Sequence, residues 1–307
     1  MVDSIVTIRE QMEMLERTSL SPFAMLSENS KGRERPEEEC DIRPVFQRDR
    51  DRILHCKAFR RLKHKTQVFL SPQGDHYRTR LTHTLEVAQT ARTIAKALRL
   101  NEELTEAIAL GHDLGHTLFG HAGEAVLDSL CEGGFKHNEQ SVRIVEKLEK
   151  DGAGLNLTWE VKDGILNHQT SNMPSTLEGK IVRLSDKIAY IHHDIDDAVR
   201  AKVMMEEEVP VEYREVLGMT SRIRLDTLIH DIISHSMGKN DIMQSPEVAE
   251  AMMGLRSFMY RHVYTNPRAK GEETKAKELL ERLFYHYMKH ANLLPVQYLK
   301  MLEQGEK

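Results

Sequence analysis

The stretch Gly111-His112-Asp113-Leu114-Gly115-His116-Thr117-Leu118-Phe119-Gly120-His121 decides how the rest of the chain is read. Three histidines, an aspartate and three glycines fall within these eleven residues. They close an apolar run, Leu104, Ala107, Ile108 and Leu110, whose spacing marks one face of a helix. The His112-Asp113 pair therefore stands at the buried end of that helix. Imidazole and carboxylate groups are costly to bury unless they are paired, hydrogen-bonded or bound to a metal. For an isolated His-Asp dipeptide the ordinary reading is an N-capping aspartate with solvated histidines. Here the further histidines, and matching partners elsewhere in the chain, favour nitrogen and oxygen ligands to a divalent ion.

Upstream, the spacing predicts a helix over residues 77–98 with a core stripe of Leu81, Leu85, Ala88, Ala91, Ala95 and Leu98. Arg80 and His83 are three apart and share one face of it. Asn101 is placed to cap the helix that leads to His112. Downstream, a helix over residues 117–130 follows the glycine break, and Lys136-His137-Asn138-Glu139-Gln140 opens another. Residues 155–159 alternate and form the one strand-like piece, and a helix through Val161, Ile165 and Leu166 ends near His168. Residues 67–75 read as a short extended piece and a turn.

The clearest periodicity begins at Leu177. Ser175 and Glu178 read as a capping box. Leu177, Ile181, Leu184, Ile188, Ile191, Ile195 and Ala198 then form one complete buried stripe. Asp186, Tyr190 and Asp194 line a second face with Lys187 beside them, which suits a half-buried polar site; Asp196 and Asp197 read as solvated.

Composition limits the remaining choices. The 307 residues include 40% hydrophobic, 30% charged and only 6% aromatic residues, with helix formers abundant, so the fold class is all-α with at most a small β-hairpin. A net charge of −5 excludes a basic nucleic-acid coat. Cys40, Cys56 and Cys131 stand far apart and read as reduced thiols of a cytoplasmic protein. No apolar run reaches the length of a membrane span, and residues 1–5 lack the start of a signal peptide. A helix over residues 5–15 and a polar arm over residues 27–39 precede a basic segment, residues 43–65. The arm is held by tertiary contacts or by a neighbouring subunit. The basic segment is either a solvated charged face or a helix facing polyphosphate or nucleic acid. Beyond residue 201 the chain reads as amphipathic helices over residues 211–235, 247–264 and 274–290, and its scattered histidines are ordinary ones.

His83, His112, Asp113 and Asp186 come from three helices, and one bundle brings them together. Two imidazoles and two carboxylates leave positions open for water and substrate, whereas closed structural sites use every position, usually with cysteines. The set therefore favours catalysis with one divalent ion per site, Mg2+, Mn2+, Fe2+, Ni2+ or Zn2+. Arg80 and Lys187 lie so near this ion that an anion must also bind, and phosphate is the natural one. His116, His121 and His137 supply titratable groups for protonating a leaving group, with Glu124 three residues after His121 to orient it. No GxxxxGK[ST] phosphate loop exists.

In that order, His83, His112-Asp113 and Asp186 resemble the signature of the HD-domain metal-dependent phosphohydrolases. More narrowly, residues 46–52, 57–69, 78–83, 112–124, 134–140 and 183–194 are similar to the dGTPase family of deoxynucleoside triphosphate triphosphohydrolases, in its bacterial dGTPase-like group. The resemblance implies an HD-domain helical bundle and divides the chain into an N-terminal helix and arm (1–44), an HD core (45–200) and C-terminal helices packed on that core (201–307). It implies that Arg80 and Lys187 hold phosphates and that His116, His121, Glu124 and His137 surround the reacting phosphorus. Gln67, Tyr190 and Asp194 would contact the deoxyribose. The implied reaction is attack at the alpha phosphorus of a deoxynucleoside triphosphate, releasing deoxynucleoside and tripolyphosphate from a homo-oligomer, with a nucleic acid or nucleotide as possible effector. Two alternatives share parts of this pattern. One is another HD phosphohydrolase, a nucleotidase or a cyclic-nucleotide or alarmone hydrolase. The other is a non-catalytic nucleic-acid-binding regulatory module.

Overall fold

Helix α5 (Glu102–Gly111) is the axis of the fold, with α2 (Val45–Leu54), α4 (Arg80–Ala97), α8 (Trp159–Leu166) and α9 (Leu177–Arg200) packed around it. The computed structural model describes residues 6–67, 78–264 and 273–303. Among these residues the chain is all helix and connection, with two isolated β-bridges, Arg33 to Thr158 and Thr66 to Thr79, and no strand. The alternation at residues 155–159 therefore makes no strand: Leu155 and Leu157 go into the core, Thr158 pairs with Arg33 and Trp159 opens α8. Of the extended piece expected over residues 67–75, only Gln67 lies within the described residues.

α5 is buried because Leu104, Ala107, Ile108 and Leu110 face inward, and Asn101 caps it by accepting from the Leu104 N–H. α4 buries Ala88, Ala91, Ala95 and Leu98 of its predicted stripe, but Leu85 is 47% exposed and the buried face widens to take in His83, Val87 and Ile94. His83 thereby reaches the interior, where the two helices flanking α4 can meet it.

α9 buries its predicted stripe, with Leu184 only half-buried. Its start differs from the capping box. Thr176, not Ser175, is the N-cap and accepts from the Gly179 N–H. Glu178 is buried and accepts from the backbone N–H groups of Met25 and Asn101, each at 3.0 Å, tying α9 to the N-terminal segment and to the start of α5. Asp197 is likewise buried rather than solvated, paired at 3.0 Å with Arg78.

α1 (Ile8–Ser19) begins three residues later than expected, on a Thr7 capping box. The polar arm is held within the chain: Ser30 and the Lys31 N–H bond Glu160, Lys31 sits over Trp159, and Arg33 pairs with buried Asp49. Most of the basic segment turns to internal partners. Arg43 pairs with Asp51, Arg48 and Arg52 with Glu37, and Arg50 with Glu103.

Between α5 and α6 (Gly120–Leu130) the chain makes a close turn over α7 (His137–Arg143). A Cβ on Gly115 would stand 2.3 Å from the His137 carbonyl oxygen, so only glycine permits that approach. Gly120, with φ of +53°, starts α6 in the left-handed region, three residues later than the expected helix start. Helices α10 (Val211–Leu217), α11 (Ser221–Ser236) and α12 (Pro246–Met259) extend the same core through Leu228, Ile232, Leu255 and Met259. The predicted helix 211–235 is two helices because Gly218 adopts φ of +125° between them. α13 (Glu273–Lys289) packs on α6, and α14 (Val296–Glu303) ends the described chain.

Candidate active site

Where α4, α5 and α9 converge, His83, His112, Asp113 and Asp186 come together. His83 Nε2 lies 3.1 Å from Asp186 Oδ1 and 3.9 Å from Asp113 Oδ2. His112 Nε2 lies 3.6 Å from Asp113 Oδ2 and 3.7 Å from Asp186 Oδ1. The Nδ1 of His112 donates to the Ala109 carbonyl at 2.6 Å, which fixes the tautomer and leaves the Nε2 lone pair aimed into the cluster. That Nε2 is fully buried with no hydrogen-bond partner, the kind of orphaned atom that needs a ligand.

The electrostatics favour a cation at the same point. Burial alone would lower the His112 imidazole, but the carboxylates of Asp113 and Asp186 outweigh it and push the group up to about 9. Burial works to raise Asp113, yet Arg80, His112, His116 and His83 hold it well below the usual carboxylate range. His83, His112 and Asp113 are spaced so that they could hold one metal ion, and Asp186 Oδ1 stands beside both imidazoles.

A second group stands outward of this array. Glu124 accepts from His121 Nδ1 at 3.1 Å, from His137 Nδ1 at 2.9 Å and from the His137 backbone N–H at 2.8 Å. Despite partial burial, these bonds hold Glu124 well below the usual carboxylate range. His116 stacks on His137 with ring centroids 4.1 Å apart, and burial and Arg80 push it well below the ordinary imidazole range. His121 is 72% exposed and faces the cavity.

Both groups open into one cavity of about 870 Å³. Arg80 and Lys187 line it, Arg80 also binding Asp113 Oδ2 at 2.7 Å. Lys187 is pushed down to about 8 by burial and by the neighbouring Arg183 and Arg256. Gln67 and Tyr190 line it too, and the buried Oε1 of Gln67 has no hydrogen-bond partner. Asp194, one turn beyond Tyr190, is fully buried and is not part of the cavity wall.

Sequence reasoning left several site residues unassigned. His168 ends its helix with Nδ1 on the Ile165 carbonyl and Nε2 3.3 Å from His137 Nε2, so it bridges the two groups. The spacing of His168 from the start of α9 carries no local signal for this. Arg256, Met252 and Tyr260 bring α12 and the turn after it to the far wall of the cavity, a placement visible only in the fold.

An all-α core with a His, a His-Asp pair and a distant Asp gathered on three helices defines an HD-domain phosphohydrolase. Residues 80–191 match the HD domain family, and residues 242–307 match the phosphohydrolase-associated domain. A deoxyguanosinetriphosphate triphosphohydrolase-like protein of Caldanaerobacter subterraneus subsp. tengcongensis is 60% identical over 96% of this chain and 87% of its own length. A protein of the same description from Desulfatibacillum aliphaticivorans is 53% identical over 94% of this chain and 86% of its own length. The chain belongs to this deoxyguanosinetriphosphate triphosphohydrolase-like family of HD phosphohydrolases. A crystal structure of a hypothetical protein from Aquifex aeolicus shares the fold, with a TM-score of 0.52 and 20% identity over 84% of this chain and 68% of that one.

Proposed function

We propose that this protein hydrolyses deoxynucleoside triphosphates to deoxynucleoside and tripolyphosphate. The observation that carries the reading is one cavity in which a largely buried array of His83, His112, Asp113 and Asp186 adjoins both a histidine–carboxylate group and cationic side chains. His83, His112, Asp113 and Asp186 would hold a divalent ion, which when bound supplies Lewis-acid charge and lowers the pKa of water. Arg80 and Lys187 bind phosphate oxygens, and Gln67 and Tyr190 shape the deoxyribose end, with Asp194 buried one turn behind Tyr190 rather than in the cavity wall. His121, oriented by Glu124, delivers a proton to the departing 5′ oxygen of the deoxyribose. His116 and His137 flank the alpha phosphate. Bond cleavage is between the alpha phosphorus and O5′, and the incoming oxygen stays on tripolyphosphate.

Among the described residues no helix is long and apolar enough to cross a membrane. With three free thiols, this supports action in the cytoplasm. Leu279, Leu283, Tyr285 and Met288 lie exposed on α13, which supports a homo-oligomer; light scattering at micromolar concentration should report an assembly, and a monomer would refute that part.

The reading is tested by product analysis. Each dNTP, rNTP and NMP is incubated with Mn2+ or Mg2+ and the products are identified. Tripolyphosphate from dNTPs supports the proposal. Orthophosphate from NMPs would place the protein among HD nucleotidases, and an inert protein that binds nucleic acid would make it a regulatory module.

A further inference from the structure

His83 has a second nitrogen, and it points away from the array. Its Nδ1 lies 3.4 Å from Nδ1 of His193, which is buried on α9. The two rings meet edge to face at 87°. His193 Nε2 in turn lies 2.8 Å from Oε2 of Glu86. Arg78 Nε bridges both oxygens of Glu86, at 3.3 and 3.1 Å, and Arg78 Nη1 is anchored to Asp196 at 2.7 Å and Asp197 at 3.0 Å. An unbroken chain of polar contacts thus runs from the array to the surface.

Two crossing helices build it. His83 and Glu86 are three apart on α4, and Asp186 and His193 are seven apart on α9, so each helix offers one array residue and one outer residue on a single face. The hydrogen positions follow from the chemistry. If Nε2 of His83 gives its lone pair to a metal, its hydrogen sits on Nδ1 and must be donated to His193 Nδ1. The His193 hydrogen then sits on Nε2 and is donated to the Glu86 carboxylate. One tautomer of each ring satisfies every contact. His112, by contrast, gives its outer nitrogen to a backbone carbonyl, which no side-chain substitution alters.

We propose that His193 and Glu86 are positioning residues for metal binding: they lock His83 in the tautomer with a free Nε2 and strengthen it as a donor. Outer partners of this kind typically set metal affinity by about 10–100-fold. The proposal rests on the metal assignment made above. A purely structural role for the chain would move stability and leave metal affinity alone.

The experiment titrates the full-length, chelator-treated protein with Mn2+, reading free Mn2+ by electron paramagnetic resonance, and records the thermal midpoint without metal. The wild type should bind one Mn2+. His193→Ala should raise Kd by about 10–100-fold. Glu86→Ala should raise it by about tenfold, the lower end of that range. Glu86→Gln keeps an acceptor for His193 and should cost less than Glu86→Ala. The Glu86 side chain is 41% exposed, so its variants fold even if His193→Ala does not. Wild-type Mn2+ affinity in Glu86→Ala would overturn the proposal. So would a fall in the metal-free midpoint with no change in Kd. No Mn2+ binding by the wild type would overturn the metal assignment itself, a separate failure.

Discussion

The two polar groups of the cavity are built from the same residue types and differ in their partners and in how far their working side chains meet solvent. The inner array is buried at His83, His112 and Asp113 and half-buried at Asp186, comes from three packed helices and has its outer nitrogens held by a carbonyl and by another imidazole. The outer group rests on α6 and α7, shares a single carboxylate and leaves His121 largely in solvent. Burial suits fixed ligands whose lone pairs must converge. Exposure with a carboxylate partner suits a group that gains and loses protons in every cycle. The comparison teaches that histidine count says little about role; the partner of the second ring nitrogen and access to water say much more.

The largest effect should come from breaking the inner group. Asp113→Ala removes the carboxylate that both faces His112 Nε2 and pairs with Arg80. Metal content by elemental analysis and turnover should both be abolished. Full metal occupancy in this variant would contradict the division into two roles.

His121→Ala strikes the outer group alone. Loss of a general acid costs about 10²–10⁴-fold in rate. Turnover should fall by about that factor while metal content, fold and dNTP binding stay near wild type. Unchanged turnover, or loss of the metal, would show that His121 has the other role.

A third carboxylate sharpens the contrast between burial with and without cationic neighbours. Burial raises Glu178 to about 7, with backbone N–H groups, those of Asn101 and Met25 first, opposing it, whereas Asp113 is held low by Arg80 and histidines. Because the folded pKa of Glu178 lies above the ordinary 4.5, the folded state holds this proton more tightly than the unfolded chain. Its contribution is therefore fully present below that value and is lost as pH rises through about 7. Glu178→Gln cannot ionise, so its stability relative to wild type should increase between about pH 5 and pH 8. The limit is about 3 kcal/mol, at about 1.4 kcal/mol per pKa unit. Urea midpoints at the two pH values measure this, and a pH-independent difference would refute it.

The inner group was legible because a His-Asp pair at the end of an apolar helix is costly without a partner, and because i, i+4 stripes located α4, α5 and α9. Its support was not. His193 and Glu86 meet only because α4 and α9 cross, and His168 reaches His137 only because α7 and α8 pack together. The errors have local causes. Ser175 and Thr176 are both good caps, and sequence could not show that Glu178 would be drawn to Met25 and Asn101 instead of its own helix start. Leu85 reads as core from its apolar side chain, but its neighbours His83 and Thr84 take the buried face of α4 and leave it exposed. Asp197 looked solvated because its partner, Arg78, lies more than a hundred residues away.

Which bond breaks is the point on which the proposed activity stands most directly. Hydrolysis of a dNTP in H2(18O) with Mn2+, followed by mass spectrometry of both products, reads it. The expected result is one 18O atom in tripolyphosphate and none in the 5′-hydroxyl of the deoxynucleoside. Label in orthophosphate with a nucleoside diphosphate as co-product, or in the 5′-hydroxyl, would contradict it.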